Sequence, residues 1–227
     1  MTTSIAIIIP VFNEAENLPK LLRMLSSLDA DEIVLVDGGS QDDSQILLGR
    51  SPFRWLQSDK GRAAQMNAGA DVCESNTILF LHADTVVDNS AIVSIRDAMT
   101  DHKVVGGRFD LKLSGAHFAL RLIEWMINLR SRLTKISTGD QAMFVRQSVF
   151  EELGGFSNQP LMEDIELSRR LKQKGKVACL REKITTSSRR WEQFGLIKTT
   201  ILMWKLRFLY WIGISPNYLA QIYLDAR

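Results

Sequence analysis

The feature that most constrains this chain is an alternation running through its first half. Short β-branched runs, Ile5–Ile9, Ile33–Val36, Phe53–Leu56 and Ile78–Leu81, are separated by stretches with apolar residues three and four apart, Glu14–Leu28, Gln41–Leu48 and Gly61–Val72. Strand and helix in regular succession predict an α/β fold with a parallel sheet, because parallel neighbours need a crossover between them. Asn13 and Ser40 stand where helix N-caps are expected.

The second half is less regular. Val104–Leu113 and Ala142–Val145 read as strands, and Phe118–Leu133 and Glu163–Lys174 as helices, the second ended by Gly175, so the same sheet is expected to continue in an α+β manner. No repeat, low-complexity tract or Pro/Gly/Ser linker interrupts the 227 residues, which predicts one domain with a soft division near Ala98–Val105.

Composition excludes several classes. A formal net charge of +2 is too small for the basic stripe of a nucleic-acid binder. Cys73 and Cys179 have no metal-ligand spacing and are too few for a disulfide framework, so both read as small buried residues in a reducing, cytoplasmic compartment. The apolar run at the N-terminus stops at Pro10 without a basic flank, as a strand does and a signal peptide does not. The segment Ile201–Ile214 is broken by Lys205 and Arg207, so a spanning helix is not expected. Its Trp204, Phe208, Tyr210 and Trp211 among cations fit either a helix lying at the inner face of a membrane or one that closes the core.

Ligands of open α/β sheets bind beyond the carboxyl ends of the strands. Four such ends carry polar chemistry: Pro10 to Glu14, Asp37 to Ser40, His82-Ala83-Asp84, and the loop reaching Gly139-Asp140. Glu14 and Asp37 are expected side by side, where carboxylates accept hydrogen bonds from ribose or a base, although each also suits a helix cap. Asp84 ends a strongly apolar strand, a position for a divalent cation bridging phosphates or for a capping Asp. Arg62 opens a helix whose free N–H groups can meet a diphosphate. Glu163 and Asp164 open another, where Asp164 can act as general base if that end faces the cleft; Glu166 and Arg170 suit a simple i,i+4 ion pair. Neither G-x-G-x-x-G nor G-x-x-x-x-G-K-[ST] occurs, which counts against dehydrogenases and P-loop enzymes.

Taken together, IIIPVFNEAENL, VDGGSQDDS, KGRAAQMNAGA, FLHADT, GDQAMFVR and MEDIELSRRL resemble, in order and spacing, the family 2 glycosyltransferases, and more narrowly a short stand-alone bacterial subgroup. The resemblance covers about residues 4 to 195. It implies the GT-A fold, a Rossmann-like and mostly parallel central sheet flanked by helices. It also implies a nucleotide-binding half of about residues 1–100, an acceptor half of about 101–195 and a C-terminal amphipathic helix of about 194–214. By the same resemblance, Pro10, Asn13 and Glu14 lie along the nucleotide, Asp37 contacts base or ribose, Arg62 approaches the phosphates, and His82-Ala83-Asp84 replaces the family's Asp-x-Asp. The first carboxylate is therefore missing, while Asp84 remains to bind Mn²⁺ or Mg²⁺. Asp140 lies in the loop at the acceptor side, Asp164 is the base, and Glu163 supports it. SSRRW keeps Arg190 and Trp191 of a Gln-x-x-Arg-Trp motif but has Ser187 for Gln, which does not support processive synthesis.

The function expected is metal-dependent, inverting transfer of a sugar from a UDP- or GDP-linked donor to an acceptor hydroxyl of a sugar, lipid or small molecule. A nucleotidyltransferase is the first rival, though PVFNEAENL lacks the basic glycine-rich loop expected to grip a triphosphate; a non-catalytic sugar-nucleotide-binding protein of the membrane surface is the second. In SGAHFALRLIEWMINLRSRLTK, the spacing of Phe118, Leu122, Trp125 and Leu129 favours packing against the core over lining a hydrophobic acceptor groove.

Overall fold

A computed structural model describes residues 3–225; the two residues at each end of the expected domain lie outside the described residues. The elements are β1 (Ile5–Val11), α1 (Leu18–Leu25), β2 (Glu32–Asp37), α2 (Ser44–Gly49), β3 (Arg54–Gln57), α3 (Arg62–Ala70), β4 (Thr77–Phe80), α4 (Asn89–Met99), β5 (Val104–Leu113), α5 (Phe118–Thr134), β6 (Phe144–Arg146), α6 (Gln147–Glu152), α7 (Glu163–Lys174), β7 (Lys176–Thr186), α8 (Arg189–Phe194), α9 (Leu196–Trp211) and α10 (Pro216–Asp225). The strands form one seven-stranded sheet in the order β3-β2-β1-β4-β6-β5-β7. It is parallel except where β6 runs against β4 and β5, so the second half does extend the first sheet.

The apolar run of β1 is explained by its central place. Ile5, Ile7 and Ile9 face a layer containing Leu21 and Leu25 of α1 and Ile92 and Ile95 of α4, whereas Ala6 and Ile8 face Met66 and Ala70 of α3 and Leu167 and Leu171 of α7. A strand covered on both faces loses the polar alternation of a half-exposed one. Pro10 continues β1 beyond the Ile8–Phe80 pairing that ends β4, where no neighbouring strand on that side needs its missing N–H.

Three expectations are corrected. Asn13 and Ser40 cap no helix: α1 begins later, after Asn17, and α2 begins after Asp43. Instead the Asn13 amide N–H donates to Ser40 Oγ (2.9 Å), and Asn13 Oδ1 accepts from the Gln41 amide (2.8 Å), tying the loops after β1 and β2 together. Second, Phe118, Leu122, Trp125 and Leu129 do not pack in the core. They are exposed, Phe118 by 80%, while α5 turns Leu120, Ile123 and Glu124 inward. Helical periodicity marks an apolar stripe without saying which stripe faces protein, and here the inner one is shorter and contains a carboxylate that accepts from the Leu113 amide (2.5 Å).

The third correction is an addition at the C-terminus: the helix expected over about 194–214 is found as α9, and α8 and α10 on either side of it were not expected. α9 buries Thr199 and Leu206 and exposes Ile197, Ile201, Trp204, Phe208 and Trp211, so it both closes the fold and presents an apolar face. Strand β7 was not expected at all. Its sequence, KVACLREKITT, is rich in charge because it is the edge of the sheet, where charged residues protect unpaired backbone.

Helix α3 approaches the sheet through Gly69, where an added Cβ would lie 2.5 Å from Ile8 Cγ2 and 3.0 Å from Val36 Cγ2. Gly69→Ala is expected to destabilise the fold by about 1–3 kcal/mol, the usual range for overpacking, as read by chemical denaturation. An unchanged midpoint would mean that α3 is free to shift away from the sheet.

Candidate functional site

One cavity of about 1100 Å³ opens at the carboxyl ends of β1 and β4. Pro10, Asn13 and Glu14 line it from the loop after β1, and His82, Ala83 and Asp84 from the loop after β4. Arg62 at the start of α3, Asp140 in the 3₁₀ turn Gly139–Gln141, Glu163 and Asp164 at the start of α7, and Arg190 and Trp191 of α8 complete the set. Every candidate but one therefore meets in a single space.

The exception is Asp37. It has no exposed surface and does not line the cavity, whereas Glu14 does. Its carboxylate accepts from the Gly39 and Ser40 amides (3.0 and 3.1 Å) and from Gln45 Nε2 (2.9 Å), an arrangement that shapes the loop after β2. A short acidic side chain followed by glycines carries the same sequence signature whether it turns outward to a ligand or inward to its own loop.

Asp84 is fixed by the strand that the sequence did not reveal. Thr186 Oγ1, at the end of β7, donates to Asp84 Oδ1 (3.4 Å), and Val86 and Thr185 bridge the two segments with backbone hydrogen bonds of 2.7 and 3.0 Å. Burial raises the Asp84 pKa, opposed by Arg62, the Thr186 hydroxyl and Arg189. Among the described residues no three carboxylate, imidazole or thiolate groups cluster as a ready-made metal site. One carboxylate suits a magnesium-like cation that keeps waters and takes its remaining oxygens from a substrate diphosphate.

His82 lies against Gly139, where an added Cβ would be 2.6 Å from Nε2. Burial, reinforced by Arg62, depresses its pKa to about 3, so the imidazole is neutral in the physiological range. Across Gly139 lies Asp164. Its Oδ2 accepts from the Gly139 amide (2.7 Å) and its Oδ1 from the Ile165 amide (2.7 Å). Met162, with φ of 69°, supplies the left-handed turn that precedes Glu163 and Asp164 at the first turn of α7. Asn13, with φ of 53°, makes the corresponding turn after β1. The Glu166–Arg170 ion pair forms as expected, Oε2 to Nη2 at 2.5 Å, on the same helix.

The two carboxylates differ in their surroundings. Burial, then the neighbouring Asp164, raises Glu163 to about 7, with Arg62 opposing. Burial also raises Asp164, but the Gly139 amide and Arg207 oppose it. Hydrogen bonds to a carboxylate favour its charged form, so Asp164 is the member of the pair better held as an anion.

Several wall residues were not picked out from the sequence. Lys60 Nζ sits 4.3 Å above the Phe12 ring, and Gln65 Nε2 donates to the Val11 and Val36 carbonyls (2.8 Å each), binding α3 to the ends of β1 and β2. Arg130 of α5 and Arg207 of α9 also reach the cavity. A signal for Arg130 was available, since it falls on the same helical face as Ile123 and Ile127, and an arginine in an inward stripe calls for an explanation. Arg190 lies 4.4 Å from the Tyr223 ring of α10.

Comparison with known proteins bears on family and fold. The sequence model described as "Glycosyl transferase family 2" matches residues 6–154. An undecaprenyl-phosphate 4-deoxy-4-formamido-L-arabinose transferase of Pseudomonas syringae pv. syringae is 41% identical over 93 residues, covering 35% of this chain and 28% of the relative. Glycosyltransferase AglE of Haloferax volcanii is 28% identical over 173 residues, covering 68% of this chain and 56% of the relative. The chain thus spans only part of these relatives' lengths. Among solved structures, S. aureus TarS 1-349 in complex with UDP-GlcNAc superposes with a TM-score of 0.66 at 16% identity, covering 82% of this chain and 58% of that one. Mannosyltransferase PcManGT from Pyrobaculum calidifontis, in complex with GDP-Man and Mn²⁺, gives 0.65 at 16% identity, covering 82% and 57%. These two likenesses establish the GT-A fold.

Because Glu163 has its pKa raised from 4.5 to about 7, the folded state binds the extra proton between those values, and this group's contribution to stability falls as pH rises through them. Glu163→Gln is expected to melt above the parent at pH values over about 7 and to lose that advantage below about 4.5. Identical melting curves at both ends would contradict burial of a titrating Glu163.

Proposed function

This chain belongs to glycosyl transferase family 2, and from that membership we propose that it transfers a sugar from a nucleoside-diphospho-sugar to an acceptor hydroxyl. The observation that carries the reading is that Arg62 and Asp84, suited to a diphosphate and its cation, share one cavity with Asp164, suited to a base. Its volume of about 1100 Å³ stands just above the roughly 300–1,000 Å³ of single-ligand pockets, large enough for a nucleotide sugar.

In this reading the donor occupies the half of about residues 1–100. Pro10, Asn13 and Glu14 follow the nucleotide, while Asp37 shapes the adjoining loop from behind. Arg62 and the free N–H groups of the nine-residue helix α3 meet the diphosphate. Asp84 holds Mn²⁺ or Mg²⁺, which when bound supplies positive charge to the diphosphate oxygens. His82, neutral and beside Gly139, offers a hydrogen-bonding ring to the donor without adding charge where the family usually has a carboxylate, and Ala83 leaves space next to it. Arg190 and Trp191 border the same site from α8.

The acceptor approaches through the half of about residues 101–195, past Asp140. Asp164 takes the proton of its hydroxyl as the oxygen bonds to the anomeric carbon. The bond from that carbon to the diphosphate oxygen breaks with its electron pair, the nucleoside diphosphate leaves, and the single displacement inverts the carbon. Glu163 holds a proton through much of the neutral range, which keeps a second negative charge away from Asp164. A cavity retaining both Asp84 and Asp164 favours this reading over a non-catalytic binder. Release of nucleoside diphosphate rather than pyrophosphate separates it from a nucleotidyltransferase.

We also place the chain at a bilayer surface. No helix among the described residues is long and apolar enough to cross a membrane. Yet α5 and α9, which pack on one another, each carry an exposed stripe: Phe118, Leu122, Trp125, Leu129 and Leu133 on one, and Ile197, Ile201, Trp204, Phe208 and Trp211 on the other. Exposed Arg121, Lys198 and Lys205 lie on the same helices, giving the aromatic-plus-cation character that suits an anionic lipid surface. The undecaprenyl-phosphate named for the Pseudomonas relative supports a membrane-borne acceptor.

Replacing the base tests the chemistry. Asp164→Asn is expected to lower turnover by about 10²–10⁴-fold with donor affinity little changed, and Asp84→Ala to abolish metal-dependent nucleotide binding in titrations with UDP- and GDP-sugars. Near-normal transfer by Asp164→Asn would remove Asp164 from the base role. For the surface, the parent is expected to sediment with phosphatidylglycerol vesicles and a Phe118→Ser/Trp125→Ser/Trp211→Ser variant to stay in the supernatant. Equal partitioning of the two would rule out docking through these stripes.

A further inference from the structure

Among the cavity cations that the donor and its metal leave unassigned, two stand beside the base. Arg130 projects from α5 and Arg207 from α9, both into the common cavity. The charges around them fall into two groups. The cations that act on Asp84 are Arg62 and Arg189, Arg62 reaching Glu163 as well, whereas Arg207 acts on Asp164; Arg130 and Arg207 both feel Asp140 and Asp164, and Arg130 also feels Arg207. These two arginines therefore belong with the base and not with the diphosphate grip.

Neither guanidinium makes a hydrogen bond or an ion pair with any described residue. Nε and Nη2 of Arg130 are shielded from solvent with no acceptor, and Asp140 Oδ1 nearby is likewise unpartnered. Burial lowers both arginines, Arg130 to about 9 with the field of Arg207 adding to the effect and Arg207 against the opposing Asp164 and Asp140. The sheltered, unpartnered nitrogens of Arg130 are unfavourable unless an anion comes to them, and the planar forks of both arginines suit phosphate. A site that only had to balance Asp140 and Asp164 would be expected to close into ion pairs; this one stays open around a void.

We propose that Arg130 and Arg207 bind a phosphate-type anionic group of the acceptor, next to the hydroxyl that Asp164 deprotonates. This rests on the glycosyltransferase reading above and adds the acceptor's chemical class to it. The cavity wall beside the two arginines is apolar, with Ile127, Met203, Trp204 and Phe208, and Trp204 and Phe208 also belong to the exposed stripe of α9. A phosphate-bearing headgroup can therefore enter from the surface with an apolar body behind it, and a soluble phosphate ester presents the same anion without that body.

The test uses two matched pairs of probes on enzyme saturated with Mn²⁺ and nucleoside diphosphate: glycerol 3-phosphate against glycerol, and short-chain phosphatidylglycerol against monoacylglycerol. In at least one pair the phosphorylated member is expected to bind about tenfold or more tighter than the neutral one, the scale of one charge-assisted hydrogen-bonded contact. The pair that discriminates identifies the source, soluble or lipid. Arg130→Gln and Arg207→Gln are expected to erase the preference, and Arg207→Lys to restore part of it. No preference in either pair, or a preference that survives both Gln variants, overturns the proposal. A Gln variant that weakens nucleoside diphosphate binding and leaves probe discrimination intact assigns the arginines to the donor and also overturns it. Failure of the underlying reading looks different, because the parent would then show no Mn²⁺-dependent binding of any nucleotide sugar before a probe is added.

Discussion

The functional architecture depends on where parallel strands stop. β1 pairs with β2 on one side and β4 on the other; β1 and β2 end together at Val11 and Asp37, and β4 ends earlier, opposite Ile8. Their last carbonyls cannot all be met by further strand, and Gln65 of α3 bonds two of them, at Val11 and Val36. Polar loops follow at the same edge, since each chain segment must turn away from a core that cannot hold its unpaired backbone. The sheet thus gathers Pro10 to Glu14 and His82 to Asp84 beside the start of α3 without any direct bond between those residues.

The second half completes the site by closing on that edge. β6 runs antiparallel into the sheet and delivers Gly139 and Asp140 at its entry; α7 follows with Glu163 and Asp164. β7 returns along the far edge and its last residues hold the Asp84 loop through Thr185 and Thr186. Gly139 is where these contributions meet: its amide donates to Asp164, and its lack of a side chain gives the His82 ring its place. Burial raises both Glu163 and Asp164, and the groups that oppose it differ: Arg62 for Glu163, the Gly139 amide and Arg207 for Asp164.

Outside the cavity the same helices that wall it present apolar surface to solvent. Trp204 and Phe208 serve both, as lining and as exposed stripe. Arg130 and Arg207 line the cavity from these same two helices, α5 and α9. α9 and α10 lie beyond residues 6–154, so this part of the wall is supplied by chain outside the matched family region.

The sequence by itself determined the α/β class, the order of the first strands and helices, and most of the residues that line the cavity, because β-branched runs, strand-end polar residues and first-turn carboxylates are local patterns with local causes. It also marked Asp84, Arg62 and Asp164, each at the end of an element whose boundary is written in nearby residues. Only the tertiary structure decided which way equivalent patterns face. Asp37 turned into its own loop instead of the cavity, the stripe of Phe118 to Leu129 turned outward, and charged β7 joined the sheet as an edge strand. Arg130 and Arg207, far apart in sequence, acquired a common role only when α5 and α9 packed together. Periodicity and propensity act over a few residues, whereas orientation and long-range charge are set by what the rest of the chain leaves uncovered.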